Sequence, residues 1–293
     1  MGKVYDGIIG LVVGDALGVP YEFRQRDSFK AVGMRGFGSH NQPAGTWSDD
    51  SSLTIATLES FGRLGRIDLY DIMHNFASWL CRYDFTASGK VFDVGCTTQK
   101  AIENYVFYHM PPNQCGGASE RDNGNGSLMR ILPLAFMPHD IYDVRNLSSL
   151  THAHDTSVTA CEIYLSVASG LLAGVRRDIA VKRACEGAKP PFQRLEHINE
   201  LRRDEIKSSG YVVDTLEAAL WCFLQADNYR DCVLMAVNLG EDTDTVAAVA
   251  GGLAGIYYGV GGKKGIPEEW ISKIARHDRI KELCDVFESK FPL

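Results

Sequence analysis

The chain has 293 residues, 45% of them hydrophobic and 23% charged, with a formal net charge of −7. This is the balance of an ordinary globular protein, and its acidic excess argues against a nucleic acid held by its phosphate backbone. Eight cysteines stand apart with no CxxC pair, so no zinc ribbon or dithiol redox motif is present and a cytoplasmic protein with reduced thiols is expected.

The first apolar stretch, Ile8 to Val13, is interrupted by Gly10 and closed by Gly14 and Asp15. It falls far short of the roughly 20 residues that cross a bilayer, and no cleavage-site pattern follows, so neither a membrane span nor a signal peptide is expected. Apolar residues at three- and four-residue spacing predict helices over 3 to 16, 50 to 64, 68 to 82, 140 to 150, 156 to 174, 178 to 187, 212 to 225, 229 to 238, 243 to 258 and 268 to 290. Glycines and prolines place loops at 31 to 47, 84 to 96, 111 to 127 and 187 to 194. With no alternating strand pair, no repeat and no linker-like segment, the fold class is all-α, one compact helical domain over residues 1 to 293. Small residues recur at Gly10, Gly14 and Gly18 and again at Gly251, Gly252 and Gly255. Glycine inside a helix costs about 1 kcal/mol against alanine, so the repetition predicts two central helices that approach closely.

Acidic residues open several of these helices. In "GTWSDDSSLTIATLESF", residues 45 to 61, Ser48 is a plausible N-cap and Asp49 and Asp50 fall in the first turn, where the helix dipole favours them. In "NLGEDTDTVAAVAGGLAGIYYG", residues 238 to 259, Asp242, Asp244 and Thr245 precede a run apolar on every side. Capping explains one acid in each segment. It explains the second less well, because a buried carboxylate needs a partner and no Lys or Arg occurs between 231 and 262. Two hydroxyl–carboxylate clusters offer hard oxygen ligands for one or two divalent cations. A third element, "GLVVGDALGVPYEF" at 10 to 23, adds Asp15 and, at the start of a loop, Glu22, a candidate for proton transfer. In "RDNGNGSLMRILPLAF", residues 121 to 136, Gly124, Asn125, Gly126 and Ser127 lead into an expected helix, an arrangement suited to an anion. "THAHDTS", 151 to 157, places His152 and His154 two apart without a second His or Cys cluster to make a zinc site.

Together these five motifs, in this order along nearly the whole chain, resemble the ADP-ribosylglycohydrolase family, whose type members remove ADP-ribose from modified proteins. The resemblance implies a helical bundle with two adjacent Mg²⁺ or Mn²⁺ ions in a central cleft. By motif position it implies metal ligation by Ser48, Asp49, Asp50, Asp242, Asp244 and Thr245, with Glu22 approaching from its loop. Asp49, Asp50, Asp244 and Glu22 are then the catalytic candidates, and Asn125, Gly126, Ser127 and His152 lie along the ADP-ribose channel. Position 48 is Ser where many members have Thr, a conservative change of oxygen ligand. The segment 84 to 123, with Tyr105, Phe107 and Tyr108, matches nothing that can be transferred, and is expected to border the site and help select the group attached to ADP-ribose.

The expected reaction is hydrolysis of the bond joining ADP-ribose to a modified acceptor, with an arginine side chain as first choice and serine-linked or small-molecule substrates as alternatives. A rival is an HD-type phosphohydrolase, suggested by His139-Asp140, His154-Asp155 and His277-Asp278, which leaves both acidic clusters without a role. A third reading is a regulatory module that binds ADP-ribose without cleaving it.

Overall fold

The structure, a computed structural model, describes residues 2–292. Its α-helices are α1 (Lys3–Gly18), α2 (Asp49–Leu64), α3 (Leu69–Arg82), α4 (Cys96–Tyr108), α5 (Ile141–Ser149), α6 (Asp155–Leu172), α7 (Arg177–Cys185), α8 (Val212–Gln225), α9 (Tyr229–Val237), α10 (Thr243–Tyr258), α11 (Glu268–Ile271) and α12 (His277–Lys290). Among the described residues extended pairing is confined to isolated bridges, such as Gly124 with Tyr211, so the all-α expectation holds.

The centre is an antiparallel pair. Every residue of α1 after Lys3 is buried, as is α10 from Thr243 to Ile256. Gly10 of α1 faces Gly251 of α10, Gly14 faces Ala247, and Gly18 faces Asp244. A Cβ at Gly10 would stand 2.5 Å from the Gly251 carbonyl oxygen, and one at Gly14 would collide with the Ala247 carbonyl, so the repeated glycines let two backbones touch. Tyrosines lock the pair from neighbouring helices: the Tyr229 hydroxyl donates to the Gly10 carbonyl at 2.6 Å and the Tyr164 hydroxyl to the Val249 carbonyl at 3.0 Å. One consequence is functional. Because the pair is antiparallel, the C-terminal end of α1, carrying Asp15, lies beside the N-terminus of α10.

Four expectations need correction. The stretch Lys3–Tyr21 is a continuous 19-residue helical segment apolar enough by length and composition to cross a membrane, longer than the sequence run Ile8 to Val13. It is wholly buried within the protein, which is what a core helix requires. Helix α4 went unpredicted because only Thr98, Ala101 and Ile102 of its 13 residues are buried, too few to set a helical period. The helix expected after Ser127 is instead a pair of 3₁₀ turns, Leu128–Arg130 and Leu132–Phe136, with Pro133 unable to supply an amide for a continuing ladder. The expected helix 268 to 290 breaks into α11 and α12, where Arg276 adopts a left-handed backbone (φ 53°) and the Ala275 amide turns to the Gly45 carbonyl.

Candidate active site

The site forms where α2 and α10 begin. Asp15, fully buried near the end of α1, accepts from the Ser48 amide at 2.9 and 3.0 Å, the Ser51 amide at 3.1 Å and the Ser51 hydroxyl at 2.5 Å. It thus caps α2 from another helix. Ser48 does act as the N-cap expected of it: its hydroxyl accepts from the Asp50 amide at 3.3 Å and also donates to Asp50 Oδ2 at 3.0 Å. From α10, the Thr245 hydroxyl donates to that same Asp50 oxygen at 3.3 Å, and the Thr243 hydroxyl donates back to the Gly18 carbonyl at 2.8 Å. The two acidic segments, almost two hundred residues apart in sequence, therefore share hydrogen bonds.

Several carboxylate oxygens are left over. Asp50 Oδ1, Asp242 Oδ1 and Asp244 Oδ2 are buried and have no hydrogen-bond partner among the described residues. Carboxyl oxygens of Asp15, Asp50 and Asp244 lie within 4.8 Å of one another, and so do those of Glu22, Asp242 and Asp244. Burial, reinforced by mutual repulsion, pushes the Asp49, Asp50 and Asp244 carboxyls well above the usual carboxylate range, and burial raises Asp15 to about 6. Buried carboxyl oxygens at this spacing fit a divalent cation, since such an ion takes hard oxygen donors and, among the described residues, no Lys or Arg pairs with Asp49, Asp50, Asp242 or Asp244.

Above this cluster opens a cleft of about 360 Å³, lined by Glu22, Phe23, Asp49, Asp93, Thr98, Asn125, Gly126, His152, Asp242 and Thr245 among others. Asp50 and Asp244 lie beneath its floor, with no exposed surface. Asn125 turns its amide inward, donating to Asp242 Oδ2 at 2.8 Å and to the Thr215 hydroxyl at 2.9 Å, so it positions an acidic group as well as bordering the cleft. Its backbone amide is taken by the Gly210 carbonyl at 3.1 Å, which removes one donor from the expected anion cradle. Gly126 lies against the His152 ring and the Thr98 hydroxyl, where a Cβ would come within 2.7 and 2.8 Å. Ser127 departs from its expected role: it is fully buried, off the cleft, with its hydroxyl accepting from the Cys161 thiol at 3.6 Å. The chain turns into the first 3₁₀ turn at this point and carries that side chain into the core.

A profile of the ADP-ribosylglycohydrolase family matches residues 1–292. The chain belongs to the ADP-ribosylglycohydrolase family. It is 32% identical to the ADP-ribosylarginine hydrolase Tri1 of Serratia proteamaculans, covering 97% of this chain and 78% of that one. It is equally identical, over 93% of its length and 90% of the relative's, to the ADP-ribosyl-[dinitrogen reductase] glycohydrolase of Rhodospirillum rubrum. A solved structure described as an ADP-ribosylglycohydrolase-related protein complex superposes with a TM-score of 0.83 at 29% identity, covering 98% of this chain and 97% of its own.

Against that family background, the rival reading from His-Asp dipeptides loses its basis. His139 bonds the Met137 carbonyl, His154 caps α6, and His277 meets the Tyr5 hydroxyl at 2.7 Å, so the three are dispersed and none lines the cleft. Two residues beside Glu22 at the candidate site were missed. Asp93, in the loop before α4, and His40, in the loop before α2, gather with Glu22 so that one ligand atom of each lies within 4.8 Å of the others. His40 Nε2 hydrogen-bonds Glu22 Oε2, and its ring lies between Phe23 and Phe92, with centroids 5.8 and 5.1 Å away. Neither residue sits in a periodic segment, so the only available signal was an isolated polar residue in a loop.

Proposed function

We propose that this chain is a divalent-cation-dependent hydrolase that releases ADP-ribose from a modified arginine side chain. The observation that carries the reading is that Asp244 gathers with Asp15 and Asp50 and also with Glu22 and Asp242, while Asp50, Asp242 and Asp244 each keep one buried oxygen without a hydrogen-bond partner among the described residues. Ser48, Asp49, Asp50, Asp242, Asp244 and Thr245 would hold two Mg²⁺ or Mn²⁺ ions. Such ions supply Lewis acidity, which polarises sugar oxygens and acidifies water.

The chain's own residues do the rest. Asp15 and Asn125 fix the carboxylate-bearing segments before substrate arrives, so little reorganisation is needed. Asp49 faces the open cleft and can orient the attacking water, while Asp50 and Asp244 sit below, shielded from solvent. Glu22 and Asp93 stand with a carboxyl oxygen of each within 4.8 Å, and burial, with repulsion from Asp93 after it, raises Glu22 to about 11, so Glu22 carries a proton. That proton is placed for delivery to the departing nitrogen of the acceptor, and the His40 ring holds Glu22 in place from the other side. The acidic pair also complements a guanidinium group, which, with the name of the Serratia proteamaculans relative, supports arginine linkage over serine linkage. Eight unpaired cysteines support a cytoplasmic setting for this reaction.

The test is release of ADP-ribose from an arginine-ADP-ribosylated protein in Mg²⁺ and in EDTA. Release in Mg²⁺ that stops in EDTA and resumes with added ion is expected. Undiminished release in EDTA would remove the cation from the reaction, and tight ADP-ribose binding without release from any linkage would make the chain a binding module.

A further inference from the structure

Arg130 is buried with no exposed surface, yet among the described residues no carboxylate pairs with it, and its Nε and Nη1 have no hydrogen-bond partner. Its guanidinium lies over the Phe76 ring, 4.9 Å from the centroid. Burial lowers it only to about 10, so it remains a cation at neutral pH. An unpaired buried charge is expensive, and the fold retains it in a well-packed place. Through Nη2 it reaches the Leu147 carbonyl at 3.1 Å and the Thr151 hydroxyl at 2.8 Å, and that hydroxyl is in turn 2.8 Å from His152 Nδ1. His152 is itself buried but borders the cleft.

We infer that Arg130 is a positioning residue which, through Thr151, fixes His152 as the neutral tautomer carrying its proton on Nε2 and presents that N–H to an acceptor oxygen of the ligand in the cleft. A guanidinium can only donate, so Thr151 Oγ1 must accept from Arg130. The threonine hydroxyl then has one proton to place, and His152 Nδ1 is its remaining partner among the described residues. Nδ1 therefore accepts, and the ring proton sits on Nε2. The backbone holds the ring in register: the His152 amide donates to the Ser148 carbonyl at 2.8 Å, and the Ser148 hydroxyl donates to the His152 carbonyl at 2.8 Å. At Gly124 a Cβ would lie 3.3 Å from Nε2, and at Gly126 2.7 Å from Cε1, so glycine at both positions keeps this edge of the ring uncovered. Burial, and after it the Arg130 charge, also disfavours a second proton on the ring. The result is a permanent donor where a solvent-exposed histidine would alternate between two tautomers.

The inference takes from the proposed function only the identity of the ligand, so its test has two arms. In the first, ¹⁵N spectra of the free protein report the tautomer. His152 should show a protonated Nε2 and an unprotonated Nδ1 in the wild type and in Thr151→Ser, and lose that fixed assignment in Thr151→Val and Arg130→Lys. In the second, titration with ADP-ribose should give affinity about threefold to tenfold weaker for Thr151→Val, with Thr151→Ser close to wild type. A proton on Nδ1 in the wild type, or a Thr151→Val protein with unchanged tautomer and unchanged affinity, would overturn the inference. A wild type that binds no ADP-ribose would count against the proposed function, and the tautomer arm would still decide the relay. Thr151→Val removes one hydroxyl and nearly preserves volume, which keeps the test free of the folding loss that Arg130→Lys could bring.

Discussion

The starts of α2 and α10 bring acids to one place by different local means. At α2 the amides of Ser48 and Ser51 are satisfied by Asp15, which belongs to α1, and the Asp50 amide by the Ser48 hydroxyl. Asp49 and Asp50 are thereby released from capping their own helix. At α10, Asp242 occupies the N-cap without a side-chain capping bond, and one of its oxygens is held by Asn125 from a distant loop. Asp244 turns one oxygen to the Thr245 amide at 3.0 Å and leaves the other free. The acids of a helix start are freed for other roles when other groups take over its capping, and here each helix borrows from a different part of the chain.

Substitutions at four positions separate the two arrangements. Asp244→Asn removes a carboxylate charge at α10 and should reduce both cation affinity and turnover by more than the ~10- to 100-fold typical for losing a group that only supports a ligand. Retained helicity in its circular dichroism would show that the loss is chemical, and full turnover would remove Asp244 from the reaction. Asp15→Ala leaves the buried Ser48 and Ser51 amides unsatisfied and should cost about 2–3 kcal/mol in urea unfolding. A cost well below 1 kcal/mol would mean that α2 caps itself. Asn125→Ala frees Asp242 and should weaken cation binding about 10- to 100-fold by calorimetric titration, with little change in stability. Equal losses of stability from Asp15→Ala and Asn125→Ala would erase the distinction between a borrowed cap and a ligand support. Smallest, Ser48→Ala should cost about 1 kcal/mol as a lost N-cap, and Ser48→Thr should recover it.

What was legible follows the same division. That Ser48, Asp49, Asp50, Asp242, Asp244 and Thr245 stand at two helix starts could be read because each lies in a short motif at the mouth of an apolar helix, while their role as ligands rested on the family resemblance. The close approach of α1 and α10 was readable from glycines that cost too much to be repeated without a packing reason. The cap that Asp15 gives to α2 was not, since it depends on an antiparallel crossing that no local pattern encodes. Asp93 and His40 come from irregular loops, and only the tertiary fold brings them to Glu22. Ser127 was misassigned because a glycine-rich helix entry and a pair of 3₁₀ turns share the same residues, and they differ in which side chain faces the cleft.

The most direct measurement is the stoichiometry of Mn²⁺ bound to the purified chain, followed by electron paramagnetic resonance during titration, for the wild type and for Asp50→Asn and Asp244→Asn. Two ions per chain in the wild type, with at least one lost in each variant, is the result predicted from the converging carboxylate oxygens. Wild-type protein that binds no Mn²⁺ at concentrations supporting turnover, or variants that bind it undiminished, would contradict a cation site at the start of α2 and α10.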